Sequence, residues 1–360
     1  MNDESQDVAD DQSQQQQEFT QQNQQIEEEK KEFNRVEPDN SDQNQQQQIS
    51  VADKLRELGY IILKDETDEY GKLRQDKDNT KGLEWQGQKN YDEIGDLVTD
   101  YVQNEMKTTY GLKEVWIPEN EDLEPDYHHL PKSNIYMSPD FLDTQQDIEK
   151  DALILIQGTG AVRAGVWARS VCLNESLKTG SMLQMIKTAQ HNKMSVLVMN
   201  PNLRSQPGQN GVIPYCHSME SHSLYVWERY VIPSRFRKFQ VIAHSAGGGC
   251  LAAIQRKFSK IKKQNQHVLI GDMFYDRCSR VALTDSWVIN REQLNKDQMK
   301  WMQENAVHFL ASTQPLGEEI SKFTRSSVCQ EKSAGHQKHE YTTGYAYEEL
   351  VKHFGLQRVD

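Results

Sequence analysis

Four apolar runs, beginning at Leu153, Ser195, Gln240 and Val281, recur at separations of 42, 45 and 41 residues. Unbroken apolar runs of this kind suit strands covered on both faces, and a helix-compatible stretch fills each interval. The alternation predicts βαβ units, and so an α/β fold with a mainly parallel sheet and helices on both faces. A fifth run covers 306–311. Helices are predicted over 180–192, 221–231, 247–263 and 290–304, with a last one over 345–354. Upstream, Ile94, Leu97, Val98, Tyr101 and Val102 fall at helical spacing among Asp92, Asp96, Asp100 and Glu105, which predicts an amphipathic helix over 91–106. Two short strands follow, 112–117 closed by Pro118 and 134–137 closed by Ser138-Pro139. No segment of 20–50 residues repeats with sequence similarity, which argues against a solenoid.

In an open α/β sheet, ligands bind beyond the carboxyl ends of the strands, so chemistry is sought just after each run. The run at Gln240 leads straight into Ala243-His244-Ser245-Ala246-Gly247-Gly248. A serine flanked two residues away on each side by small residues is the pattern of a nucleophile elbow, in which neighbouring backbone passes close to a strained strand-to-helix turn. The usual form is G-x-S-x-G, and Ala243 takes the first small place here. The alternative is a plain strand, turn and helix with an incidental serine. After the first run comes Gln157-Gly158-Thr159-Gly160. Its glycines leave backbone N–H groups free to converge, and those of Thr159 and Ala246 would form an oxyanion hole. A phosphate loop or a tight turn is the alternative. G-x-G-x-x-G is not met, because Arg163 holds its last position, and no Walker lysine follows.

After the fourth run stands Asp285, which could orient a histidine and stabilise its imidazolium. It could instead cap the following helix, with Glu318 or Glu319 as the acid. The base is sought late in the chain, at His339 or His336. The order Ser245, Asp285, His339 is the order of catalytic residues in α/β-hydrolases. His244 lies too near Ser245 in sequence to serve it as a base and reads as a packing residue. His128, His129, His217 and His222 lack acidic or cysteine partners at ligand spacing, so neither a metal nor another cofactor is expected.

Composition divides the chain in two. Residues 1–50 contain 15 glutamines, 13 acids and 3 bases, with few large apolar side chains. A segment of that kind cannot bury enough surface to offset its ordering entropy and reads as a disordered tail over 1–49. It carries −10 of the net charge of −13, so the acidity says nothing about the folded part's partner. The five cysteines, Cys172, Cys216, Cys250, Cys278 and Cys329, form no C-x-x-C pair and read as reduced thiols of an intracellular protein. The N-terminal residues lack a secretory signal, and no apolar run reaches the length of a membrane span, so the expected location is the nucleus, the cytoplasm or both. Arg256, Lys257, Lys260, Lys262 and Lys263 form a basic cluster without interleaved aromatics, which reads as a solvated face, so strong direct nucleic-acid binding is not expected.

The blocks Ile156-Gln157-Gly158-Thr159-Gly160-Ala161-Val162-Arg163-Ala164-Gly165-Val166-Trp167-Ala168-Arg169, Val198-Met199-Asn200-Pro201-Asn202, Tyr225-Val226-Trp227, Ala243 to Gly248, Ala282 to Ser286 and Ser333-Ala334-Gly335 with His339-Glu340 resemble, in order, those of the Argonaute-binding-protein domain family. That family includes animal cotranscriptional regulators and the C-terminal domain of some class II histone deacetylases. The leader also resembles it, at Leu58-Gly59-Tyr60 and Gly71-Lys72-Leu73-Arg74. The resemblance covers about 51–357 and implies an α/β-hydrolase-like domain over 50–360, with a leader over 50–130 and a hydrolase core over 131–360. It implies a role in RNA-directed silencing, chromatin regulation or splicing, with Argonaute or chromatin proteins as partners. Gln157 stands where the family carries histidine and Ala246 where it carries tyrosine, and the basic insertion of the animal proteins after Asn-Pro-Asn is missing. Two functions compete: a silencing adaptor that retains a serine site, and a free-standing serine esterase or thioesterase using Ser245, Asp285 and His339.

Overall fold

Every residue of the strand β5 (Ala152–Ile156) is buried, and its side chains alternate between two cores. Leu153 and Leu155 point to one, Ala152, Ile154 and Ile156 to the other. This is the two-residue period of a strand covered on both faces. The computed structural model describes residues 49–143, 149–205, 212–259, 274–286, 289–320 and 327–359, so the tail read from the sequence lies, apart from Ile49, outside the described residues. Lys260, Lys262 and Lys263 of the basic cluster also lie outside them.

The chain enters through α1 (Val51–Glu57), capped by the Ser50 hydroxyl, and an antiparallel hairpin of β1 (Tyr60–Asp65) and β2 (Asp68–Gln75). Next comes α2 (Gln88–Thr108), whose Ile94, Val98, Val102 and Met106 form one buried stripe. β3 (Lys113–Ile117) and β4 (Ser133–Met137) precede β5. Then follow α3 (Arg169–Asn174), α4 (Leu177–Gly180), α5 (Leu183–His191), β6 (Ser195–Val198) and α6 (Met219–Val226), which runs on as a π-helical turn, Trp227–Val231. The last part comprises β7 (Phe239–His244), α7 (Gly247–Phe258), β8 (Cys278–Thr284), α8 (Lys296–Asn305), β9 (Ala306–Leu310), β10 (Gln330–Ser333), α9 (Thr342–Tyr345) and α10 (Tyr347–Phe354).

Among the described residues the main sheet has eight strands in the order β10-β9-β8-β7-β5-β6-β4-β3, all parallel except β4, which runs antiparallel to both its neighbours, β6 and β3. Side chains of α2, α5 and α10 pack on one face, and those of α6, α7 and α8 on the other. The result is a three-layer α/β-hydrolase-like fold, with the mainly parallel sheet and the helices on both faces that the spacing of the apolar runs predicts. The helix predicted over 290–304 is divided: a 3-10 turn, Arg291–Gln293, comes first, and Asn295 then caps α8 through its side chain. A cap there satisfies the first orphan amides of the new helix, which a continuous helix through Asn295 would not need.

After β5 the chain moves outward to β6 and returns to place β7 on the other side of β5. The strand order therefore reverses between β5 and β7, and the crevice of an open sheet opens at their carboxyl ends. Five free cysteines are buried, and burial pushes the thiols of Cys172, Cys216 and Cys329 up to about 12. Among the described residues, no helix is long and apolar enough to cross a membrane.

Candidate active site

β7 ends at His244 and α7 begins at Gly247, so Ser245 and Ala246 make the whole turn. Ser245 has φ 53°, in the left-handed region, which costs a residue with a side chain on the order of 1 kcal/mol or more. Neighbouring groups hold it there. Its N–H donates to Thr284 O at 3.1 Å, and its carbonyl accepts from Ser286 Oγ at 2.6 Å and from Gly248 N at 3.2 Å. Two glycines make room for the turn: a Cβ on Gly247 would stand 2.6 Å from Ile156 O, and one on Gly158 would stand 2.7 Å from Ser245 Cβ. The loop after β5 therefore lies directly against the serine.

Asp285 closes β8 with φ 41°, so two adjacent strand ends carry side-chain residues in the left-handed region. Its N–H donates to Phe309 O at 2.7 Å, and Oδ1 accepts from Ala311 N at 3.3 Å. Oδ2 lies 2.7 Å from His339 Nδ1. With Nδ1–H donating to that carboxylate, Nε2 is left as the proton-accepting nitrogen. The His339 ring stacks on His244, with centroids 4.8 Å apart and planes at 29°. His336 turns elsewhere, its Nδ1 accepting from Lys338 N and its ring stacking on Tyr341. Glu319 meets β10 through Lys332 and Gln330, and the amide N–H of Glu318 donates to Pro315 O.

His244 is 3% exposed and its Nδ1 lies 3.0 Å from Thr284 O, so Nδ1–H donates to that carbonyl. Burial, and then the neighbouring His339, push its pKa down to about 4, and the ring is a neutral platform for His339. Gln157 is fully buried: Nε2 donates to Asn200 Oδ1 at 3.1 Å, while Oε1 has no partner. Among the described residues, the backbone N–H groups of Thr159 and Ala246 make no hydrogen bond within the chain. The Ser245 hydroxyl likewise has no hydrogen-bond partner among them. No group of side chains suited to a metal ion occurs among the described residues.

The sequence alone assigns no role to two residues of this region. Ser286 ties the acid turn to the serine turn through Ser245 O, and its own N–H donates to His308 Nε2 at 2.9 Å. His308 is a buried residue of β9, and burial pushes its pKa down to about 4. Their hint lay only in position, immediately after Asp285 and on the neighbouring strand.

The Arb2 domain model matches residues 51–205 and 203–316. A FAM172 family protein homolog of Caenorhabditis elegans is 33% identical over 234 residues, covering 64% of this chain and 64% of that protein. The human cotranscriptional regulator ARB2A is 26% identical over 321 residues, covering 74% of this chain and 71% of its own length. The Dictyostelium discoideum homolog of that regulator is 26% identical over 326 residues, covering 80% and 76%. Among solved structures, the histone deacetylase Clr3 aligns with a TM-score of 0.44 at 13% identity, over 72% of this chain and 38% of that one. With the family model spanning most of the folded part, this chain belongs to the Arb2 domain family.

Proposed function

We propose that this protein is a nuclear regulator of the cotranscriptional kind, an adaptor between Argonaute or chromatin proteins, in which the hydrolase-like fold retains a working serine site. The regulatory part is supported by the names of its relatives, human ARB2A among them. The catalytic part rests on one observation: the Asp285–His339 pair at 2.7 Å, beside a serine held at φ 53° against a glycine loop. An adaptor needs none of these arrangements, and strained backbone of this kind collects at functional sites.

In the reaction, His339 Nε2 takes the Ser245 proton as Oγ attacks the carbonyl carbon of a small ester, thioester or amide. The N–H groups of Thr159 and Ala246 receive the negative oxygen, and Asp285 stabilises the imidazolium. His339 then returns the proton to the leaving group as the carbonyl–heteroatom bond breaks. A water, deprotonated by the same nitrogen, releases the acid from Ser245.

A fluorophosphonate probe tests this. The wild type should label at Ser245, Ser245→Ala should not, and His339→Ala should slow labelling by about a thousandfold or more. Folded wild-type protein that stays inert to the probe overturns the catalytic reading and leaves the adaptor alone. Direct nucleic-acid contact is not part of the proposal, because Arg256 and Lys257 are paired with Glu220 and Glu228.

A further inference from the structure

The Asn200-Pro201-Asn202 turn, which follows β6, has no role in the chemistry described above. Its side chains nevertheless grip the whole glycine loop. Asn200 is fully buried, and its Oδ1 accepts both from Gln157 Nε2 at 3.1 Å and from the backbone N–H of Ala164 at 3.0 Å. Asn202 Nδ2 donates to the carbonyls of Gly160 and Val162, the latter at 3.1 Å. The loop is thus held at Gln157, Gly160, Val162 and Ala164, which brackets Gly158 and Thr159. Asn200 is itself fixed from behind. Its Nδ2 donates to Asn134 Oδ1 at 2.8 Å, and its backbone N–H donates to His222 Nε2 at 3.1 Å.

A loop with glycines at 158 and 160, the latter at φ 108°, has little conformational preference of its own. Gly158 must nevertheless sit against Ser245, where even a methyl group would not fit. Four hydrogen bonds from one turn supply the constraint that the glycines cannot. We infer that Asn200 and Asn202 are positioning residues that hold the loop so that the Thr159 N–H faces the reacting carbonyl at Ser245. This inference rests on the serine-hydrolase reading for its catalytic consequence, while the clamp itself is a property of the loop.

Asn202 is half-buried and gives the cleaner test, because Asn200 is a buried hub. Three full-length variants are made, Asn202→Gln, Asn202→Ala and Asn202→Asp. Alanine removes both donors, aspartate also sets a carboxylate against two carbonyl oxygens, and glutamine keeps an amide. Fluorophosphonate labelling should slow about tenfold to a hundredfold in Asn202→Ala, more in Asn202→Asp, and should be partly restored in Asn202→Gln. Exchange of the Ala164 backbone N–H, held by Asn200 of the same turn, should accelerate at least about tenfold in the same order, with exchange in β5 and β7 unchanged. Labelling and exchange both at wild-type rates in Asn202→Ala overturn the inference. A wild type that never labels overturns the catalytic reading together with the positioning role, and exchange then decides the clamp alone.

Discussion

At the scale of single residues, the site depends on what two glycines leave out. A methyl group at 158 would meet Ser245 Cβ at 2.7 Å and His244 O at 3.2 Å, so either the serine turn or the loop must move. Gly158→Ala should therefore lower fluorophosphonate labelling by at least about a hundredfold, read as the rate of adduct formation by intact mass. Ala243→Gly restores the usual small residue of the elbow, but Ala243 is fully buried and its methyl already fits. Labelling should then change less than about threefold, with a small loss of thermal stability from the extra backbone freedom. Asp285→Asn probes the other side of the pair. The amide cannot stabilise an imidazolium and leaves Nδ1–H of His339 without an anionic acceptor, so labelling should lie between the wild type and His339→Ala.

At the scale of elements, the sheet and the helices packed on it carry buried or half-buried histidines that cannot be charged cheaply. His244 on β7, His308 on β9 and His353 on α10 have pKa values pushed down to about 4, and His222 on α6 to about 3, burial being the first cause in each. Their ordinary value is 6.5, so between about pH 6.5 and 4 the unfolded chain binds more protons than the folded one. Stability should fall as pH drops through that window, and these groups should leave it flat above about pH 7. Urea midpoints at pH 7.5, 6 and 5 check this, and an unchanged midpoint at pH 5 would contradict it. The sequence discloses the elements unevenly. The runs at Leu153, Ser195, Gln240 and Val281 are legible because parallel strands buried on both faces must be apolar throughout. The β1–β2 hairpin is not, because Asp65, Thr67 and Asp68 build its turn by local side-chain bonds between strands of mixed polarity. Nor is β10, Gln330–Ser333, a polar edge strand without any period. For the site, residues following the runs can be named from the sequence, but the Asn202 clamp spans some 40 positions and no local pattern encodes it.

At the scale of the whole molecule, Ser50–Asp360 forms one compact unit. Its leader helix is locked on by Arg169, which pairs with Asp92 and Asp96 and lies across Gly95. A chain lacking residues 1–49 should melt within a few degrees of the full protein, because that segment offers little to bury. A larger drop, read by circular dichroism, would show that the segment packs on the domain. The shortened protein should still recover Argonaute or chromatin proteins from nuclear extract, identified by mass spectrometry. Recovery of neither would favour the free-standing esterase. The burial of all five cysteines also turns the molecule into its own blank for thiol chemistry. A single cysteine engineered onto any exposed helix face would be the one thiol within reach of a maleimide dye, so fluorescence distances to a labelled partner could be measured without stripping the native sequence first.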